Sequence, residues 1–384
     1  MVRFLACSGV ALALGGIWAL NGLDPARRPE RIAEVLRRED NQNARSQVVT
    51  LLAQAVRSDS ANAYRLSDYG EALAAAGRVE EARQTFRRAT DLAQGLPQIW
   101  FHAAVFHFQL GETALGLSSV RRILDEVPDY DATFFDYFDS LDLGPGRVLP
   151  DIEQNPRAAR SYTKHLIAAN KVDWAQEAWH ALLDRHFLDA DVTALYISCL
   201  LRNHRYEAAR HDWAASQEPS DYPNSNLVFN GGFERDLTRC PLDWEIQQSE
   251  QFDTARDDTV AYHGRWSIKI HFHGDGNVSY SNLVQTVRVH PGVHHLSAQI
   301  RTDGITTNEG IRLEILDPEN PSRLDVRTGD ITGSHDWTPI DQSFTVPQST
   351  NIVAIRAVRA PSTKFDNAIG GSAWLDSVSL REGS

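Results

Sequence analysis

Asn226-Leu-Val-Phe-Asn-Gly-Gly-Phe-Glu234 is the stretch at which the patterning of the chain changes. Before it, apolar residues recur at helical spacing among many Ala, Arg and Glu; after it, short runs alternate apolar and polar residues between Gly, Pro, Asn and Asp. A period near 3.6 buries one stripe of a helix, whereas a period of two buries one face of a strand. The sequence therefore predicts a helical region over residues 29–217, a polar linker over 218–225 with two prolines, and a β domain over 226–384.

Downstream of the boundary, Pro241-Leu-Asp-Trp244, His263-Gly-Arg-Trp-Ser-Ile268, Val289-His-Pro-Gly292 and Ala373-Trp-Leu-Asp-Ser-Val-Ser-Leu380 follow the opening stretch in order. Together these five pieces resemble a carbohydrate-binding module of the jelly-roll type grouped as families four, nine and twenty-two. The resemblance implies a galactose-binding-like β-sandwich that binds a glycan, and a structural Ca2+ ion. On that resemblance, Glu234 and Asp376 are the carboxylate ligands, with backbone carbonyls of Gly232, Gly264 and Arg265 completing a hard oxygen shell. Such carbonyls converge only where the backbone turns tightly, which suits the glycines. Without an ion, the same two carboxylates are surface acids at strand ends.

A sugar site needs aromatic faces for the apolar side of the ring and polar groups for its hydroxyls. The resemblance puts Trp244, Trp337, Trp374, Phe229, Phe233 and Phe344 at core-like positions. In Ile268-Lys-Ile-His-Phe-His273, alternation sends Ile268, Ile270 and Phe272 to one face and Lys269, His271 and His273 to the other, which makes Phe272 core. Phe252, Tyr262, Trp266 and Tyr280 are less constrained, and of these the candidates for stacking are Tyr280, between Asn277 and Asn282 in a Gly-rich stretch, and then Trp266. His271 and His273 share a strand face in a spacing that can chelate zinc, with Asp275, His290, His294 and His295 nearby in sequence, but no third ligand has a fixed spacing.

Upstream, similar residues recur with a fixed period, the same step that separates Leu66 from Trp100. The first helix reads Ile32, Leu66, Trp100 and then Leu36, Gly70, Ala104; the turn reads Asn43, Gly77, Gly111; the second helix reads Val48, Ala82, Gly116, then Leu52, Phe86, Val120, then Ala55, Ala89, Ile123, and Pro128 closes the third unit. This is the length and pattern of a tetratricopeptide repeat, in which small residues let paired helices approach and large ones fill the groove between hairpins. The register breaks at Phe134-Phe-Asp-Tyr-Phe138 and Gly144-Pro-Gly146, and resumes with Tyr162 and Tyr196, Leu166 and Leu200, and Trp179 and Trp213, each pair one period apart. The expectation is a tetratricopeptide-like α-solenoid of five hairpins with an irregular insert near 131–155, its aromatics wedged between neighbouring units. Tryptophans at repeat spacing are expected in the core.

Phe4 to Leu20 is seventeen uncharged residues, so residues 1–24 are expected to be a signal peptide or membrane anchor. A glycan-binding module implies export, with the chain anchored in the inner membrane facing the periplasm, or secreted if the segment is cleaved. Cys199 and Cys240 are expected as two separate buried thiols. The net charge of −13 is spread over both regions, 23 basic and 30 acidic side chains in residues 24–223 against 14 and 21 in residues 224–384. Neither offers a basic face for phosphates, so nucleic acid is not expected as a partner.

No nucleophile elbow, phosphate-cradling loop or metal-binding helix motif stands out, and no acidic pair suggests a glycosidase. The expected function is a non-catalytic envelope scaffold of the kind associated with exopolysaccharide, its repeats binding a protein and its β module a glycan. The alternative is a β module that is purely structural or oligomerising; a glycan-active enzyme ranks below both.

Overall fold

The computed structural model describes residues 33–34, 37, 41–93, 95–218, 220 and 222–383. Residues 1–24, and Ile32 and Leu36 of the first repeat, lie outside the described residues, and among those described no helix is long and apolar enough to cross a membrane. Eleven described α-helices precede ten β-strands. The chain divides into two compact units, one reaching to Leu143 and including Pro150–Ile152, the other made of Gly144–Leu149 and all from Glu153 onward. The division falls inside the helical region.

The first unit holds α1 (Gln42–Ser58), α2 (Ala63–Ala75), α3 (Val79–Leu92), α4 (Pro97–Gln109), α5 (Thr113–Glu126) and α6 (Asp131–Ser140). The starts of α2, α4 and α6, at Ala63, Pro97 and Asp131, are evenly spaced by one repeat length. Local chemistry fixes the ends. The side chains of Asn41 and Asn62 accept from backbone N–H groups of the first turns of α1 and α2, and Pro97 opens α4 where no N–H is needed. Gly77 and Gly111 close α2 and α4 at φ of +77° and +74°, a conformation other residues adopt with strain. Ala82, Phe86, Ala103 and Phe106 share one core cluster, and the Phe86 and Phe106 rings lie 4.8 Å apart.

The stretch read as an irregular insert is helical: α6 is followed by α7 (Pro145–Ile152), whose residues are shared between the two units. Phe134, Phe135 and Phe138 are buried, with Phe134 against Phe101 at 5.3 Å and Phe138 against Phe108 at 6.2 Å. Phe138 stands one repeat length after Ala104, where the repeat elsewhere has smaller residues, and the following helix has only eight residues. Those two departures hide the period.

The second unit carries α8 (Pro156–Ala168), α9 (Val172–Asp184), α10 (Ala190–Arg202) and α11 (Tyr206–Ser216). Tyr162, Tyr196, Trp179 and Trp213 are all core, and Trp179 stacks on Tyr196 at 4.8 Å. Asn170 and His204, one repeat length apart, close α8 and α10 at φ of +54° and +56° in the role that Gly77 and Gly111 play earlier. Buried Asp212 accepts from the Tyr196 hydroxyl at 2.5 Å and pairs with His180 and His211 at 3.1 and 3.0 Å.

The same unit contains a two-sheet sandwich. One antiparallel sheet runs β1 (Glu245–Ile246), β4 (Tyr280–Arg288), β9 (Ile352–Arg359), β6 (Arg312–Leu316), β7 (Asp325–Arg327); the other runs β2 (Phe252–Asp257), β3 (Ser267–His273), β10 (Gly370–Glu382), β5 (Gly292–Ile305), β8 (Gly333–Val346). The core fills the space between them, including Phe252, Ile270, Phe272, Val353, Ile355 and Leu375. The stretch 226–234 ties the opening of the sandwich to its last strand: Leu227 N–H donates to Leu380 O, Val378 N–H donates to Gly231 O, and the Asn226 side chain accepts from Leu380 N–H. A Cβ at Gly231 would stand 1.9 Å from Val378 O, so only glycine permits this approach. Cys199 and Cys240 are separate buried thiols, and burial pushes the Cys240 thiol up to about 12.

Candidate functional site

The two outer faces of the sandwich differ. On the β4 and β9 side, Ile352, Ala354 and Val358 alternate with the interior residues Val353, Ile355 and Ala357 yet are themselves buried. Helix α11 lies along this side: Glu207 pairs with Arg288 of β4 at 2.9 Å, and the Tyr206 hydroxyl donates to Glu319 after β6. His290, following β4, sits between Glu207 at 3.2 Å and Glu382 at 2.8 Å.

The outer face of the other sheet is polar and aromatic. Register places Asp253, His271, Ser372 and Asp303 in one row across β2, β3, β10 and β5, and Ala255, Lys269, Trp374 and Arg301 in the next. The Trp374 indole N–H donates to Asp257 Oδ2 at 2.7 Å, while Lys269 Nζ and the Arg301 guanidinium lie 5.4 and 5.8 Å from its ring centre. Asp257 is raised by burial, but bonds from Thr259 and Trp374 outweigh that and hold it below the usual carboxylate range. His273 is pushed up by its bond to Asp253, at 3.0 Å, and His271 pairs with Ser372 Oγ at 3.0 Å. A depression of about 240 Å³ opens between β2 and β3, with Ala255 in its lining beside Asp253, Asp257, Lys269 and His271. Toward β8, Tyr262 and Trp337 meet edge to face at 5.8 Å, and Tyr262 is 52% exposed.

This face was not legible as a site in the sequence. Tyr280 instead is interior: it begins β4 pointing inward, is 1% exposed, bonds Thr254 Oγ1 at 3.1 Å and packs edge-on against Phe252 and Phe272. Its ring offers no face to a sugar, because the Gly-rich stretch before it ends where the strand begins. Trp266 is partly buried against the core, and the guanidinium groups of Arg256 and Arg265 cover its ring at 4.1 and 5.3 Å. Trp244 and Trp374 are buried as expected, although Trp374 lies on the outward side of its strand, and Trp337 is only partly buried.

The residues assigned to calcium do converge. Glu234 Oε1 accepts from the backbone N–H groups of Arg265 and Trp266 at 2.9 and 3.0 Å, and Asp376 Oδ2 from those of Tyr262 and His263 at 2.8 and 3.1 Å. Gly264, at φ +74°, lies so close that a Cβ would stand 2.3 Å from Glu234 Oε1, and a Cβ at Gly232 would lie 4.0 Å from Asp376 Oδ1. Asp376 is fully buried, and burial raises its pKa beyond what the bonds from His263, Tyr262 and Ser377 offset. The histidines do not form a metal site: among the described residues no group of three or more His, Cys, Asp or Glu is placed to hold an ion. His294 is buried and stacks on Phe344.

The Tetratricopeptide repeat family matches residues 34–97, 70–131 and 164–223. A comparison with curated proteins found no match. Among solved structures, the chain is similar to a Family 16 Carbohydrate Binding Module at 18% identity, covering 41% of this chain and 100% of that one with a TM-score of 0.30. A family 61 module, solved with beta-1,4-galactotriose, is 15% identical over 41% and 99% of the two chains, TM-score 0.30. The CBM22-1 xylan-binding domain of Paenibacillus barcinonensis Xyn10C is 10% identical over 42% and 97%, TM-score 0.29. The helical region of this chain carries tetratricopeptide repeats.

Proposed function

We propose that the protein is a non-catalytic scaffold of the cell envelope, its helical repeats binding a protein partner and its β module, residues 226–384, binding a glycan such as an exopolysaccharide. The observation that carries the glycan half is the sheet face on which Tyr262 and Trp337 supply rings beside the polar side chains of Asp257, Lys269 and Arg301. Stacking and charged hydrogen-bond partners side by side are what pyranose recognition requires. Export with an N-terminal anchor or signal peptide completes the reading.

A purely structural module is favoured by one observation, the buried aliphatic face on the α11 side. It accounts for that sheet and leaves the aromatic face of the other unexplained. A glycan array probed with the full chain tests the reading, alongside the double variant Tyr262→Ala with Trp337→Ala. Losing two stacking rings should weaken any hit by at least about tenfold, with an unchanged melting midpoint. Equal binding by the variant would remove this face from consideration.

Calcium belongs to the same proposal. Two carboxylates face one tight turn, and neither makes an ion pair among the described residues, which suits a hard cation. Glu234 and Asp376 would hold it, with carbonyls of Gly232, Gly264 and Arg265. Bound there, the ion would join the opening stretch, the 262–266 turn and the last strand.

A further inference from the structure

We infer that the glycan taken by the outer sheet face is anionic, a uronate-bearing polymer whose carboxylates are received by Lys269 and Arg301 on either side of Trp374. The inference rests on the glycan reading and specifies its ligand. It comes from what the groups on this face already have. Asp257 accepts from the Trp374 indole, the Thr259 backbone and the Thr259 hydroxyl. Asp253 is held by His273, and Asp336 accepts from its own Trp337 N–H at 2.9 Å. Asp303 accepts from Ser334 Oγ at 3.4 Å.

The cations of the middle row are less occupied. Lys269 makes no ion pair within 4 Å among the described residues, and its contact on this face is the Trp374 ring. Arg301 has a single ion pair, a long one of 3.8 Å to exposed Asp336, and otherwise rests near the same ring. Backbone pairing sets Lys269 and Arg301 on the strands either side of Trp374, so the two positive charges flank one ring. Asp257 feels the Lys269 charge and Asp336 pairs loosely with Arg301, but among the described residues no carboxylate closes on either cation, so both can still receive one from a ligand. Arg–carboxylate geometry also allows two parallel bonds, which a hydroxyl cannot supply. Ala255, on the far side of Lys269, leaves room beside the ammonium for a ring substituent.

The test uses the full chain with polygalacturonate, the same polymer after chemical reduction of its carboxyl groups, and xylohexaose, read by isothermal calorimetry. The parent polymer should bind about tenfold or more tighter than the reduced one, the scale of one charge-assisted contact. Lys269→Gln and Arg301→Gln should each remove most of that difference while leaving the melting midpoint unchanged. Raising the salt concentration should weaken the parent polymer selectively. If reduced polymer or xylohexaose binds as tightly as the parent, or Lys269→Gln binds the parent as the unaltered chain does, the inference falls while the glycan reading stands. If none of the three binds, the glycan reading fails for these ligands and the inference fails with it.

Discussion

Gly70 in the first helix of one hairpin and Gly116 in the second helix of the next each face an aromatic ring of the paired helix, and the structure assigns them different responses to an added methyl group. Alanine in place of glycine inside a helix gains about 1 kcal/mol from backbone propensity. At Gly70 the new Cβ would meet the Phe86 ring at 3.1 Å, tight by only a few tenths of an ångström, so Gly70→Ala should be close to neutral. At Gly116 it would come within 2.6 to 2.8 Å of three Phe108 ring atoms. Phe108 is itself buried and faces Tyr137 at 5.5 Å and Phe138 at 6.2 Å, so the ring has little room to retreat. Overpacking of this kind costs about 1–3 kcal/mol, which leaves Gly116→Ala net destabilised by about 1 kcal/mol. The preceding repeat shows the compensation: one repeat earlier, Phe108 is Ala74 and Gly116 is Ala82. Hence Phe108→Ala should abolish the cost of Gly116→Ala, a coupling of about 1–2 kcal/mol in a double-mutant cycle. Urea unfolding of the full chain, followed by hydrogen exchange in peptides from α4 and α5, reads the effect where it arises. Gly116→Ala more stable than the parent, or additive with Phe108→Ala, would refute the assigned helix contact.

Ala82 is fully buried between helices, so Ala82→Arg should cost several kcal/mol through overpacking and an unpaired charge, and an unchanged melting curve would break the repeat register. Calcium at 100 times its dissociation constant should stabilise the folded chain by about 2.7 kcal/mol, and Asp376→Ala should remove that response in calorimetry with and without chelator. Identical midpoints would leave Glu234 and Asp376 as ordinary acids. Burial raises Asp212, but bonds from Tyr196, His211 and His180 outweigh it and leave its carboxyl below the ordinary value. A depressed carboxylate stabilises the fold above its unfolded pKa of about 3.9 and loses that contribution as pH falls through its folded value. Asp212→Asn should therefore be less stable at pH 7, by about 1–3 kcal/mol, and should lack the part of the acid transition below about pH 4 that depends on this group. Acid titrations of the two chains by circular dichroism that superimpose would rule this out.

How far the fold could be read from the sequence depended on whether the deciding contact was local. Helix ends were legible where Gly77 and Gly111 act through their own backbone. The repeat was legible where small residues marked close helix approach, and was lost at Phe138, where a large ring takes a small residue's place. In β3 the alternation correctly divided Ile268, Ile270 and Phe272 from Lys269, His271 and His273.

Alternation assigns a residue to a face but does not say what lies over that face, and each miss at the candidate site follows from this. Asp376 and Trp374 both project away from the sandwich core; the 262–266 turn bonds across the first and bars it from solvent, while the second is covered by the side chains of Lys269, Arg301 and Asp257. Strand β9 is buried on both sides, which no two-residue period encodes. Tyr280 and Tyr262 invert for the same reason: one stands just after a Gly-rich stretch yet starts a strand with its ring inward, the other lies in a polar turn held out by Asp376. The aromatic that can meet a ligand is therefore fixed by a carboxylate more than a hundred residues away, and the buried acid that orders the turn also presents the ring. Removing the Asp376 carboxylate should therefore weaken glycan binding through Tyr262 even where Trp374 and Lys269 are untouched, and Asp376→Ala added to Tyr262→Ala should weaken it no further than Tyr262→Ala alone; additive losses would refute the coupling.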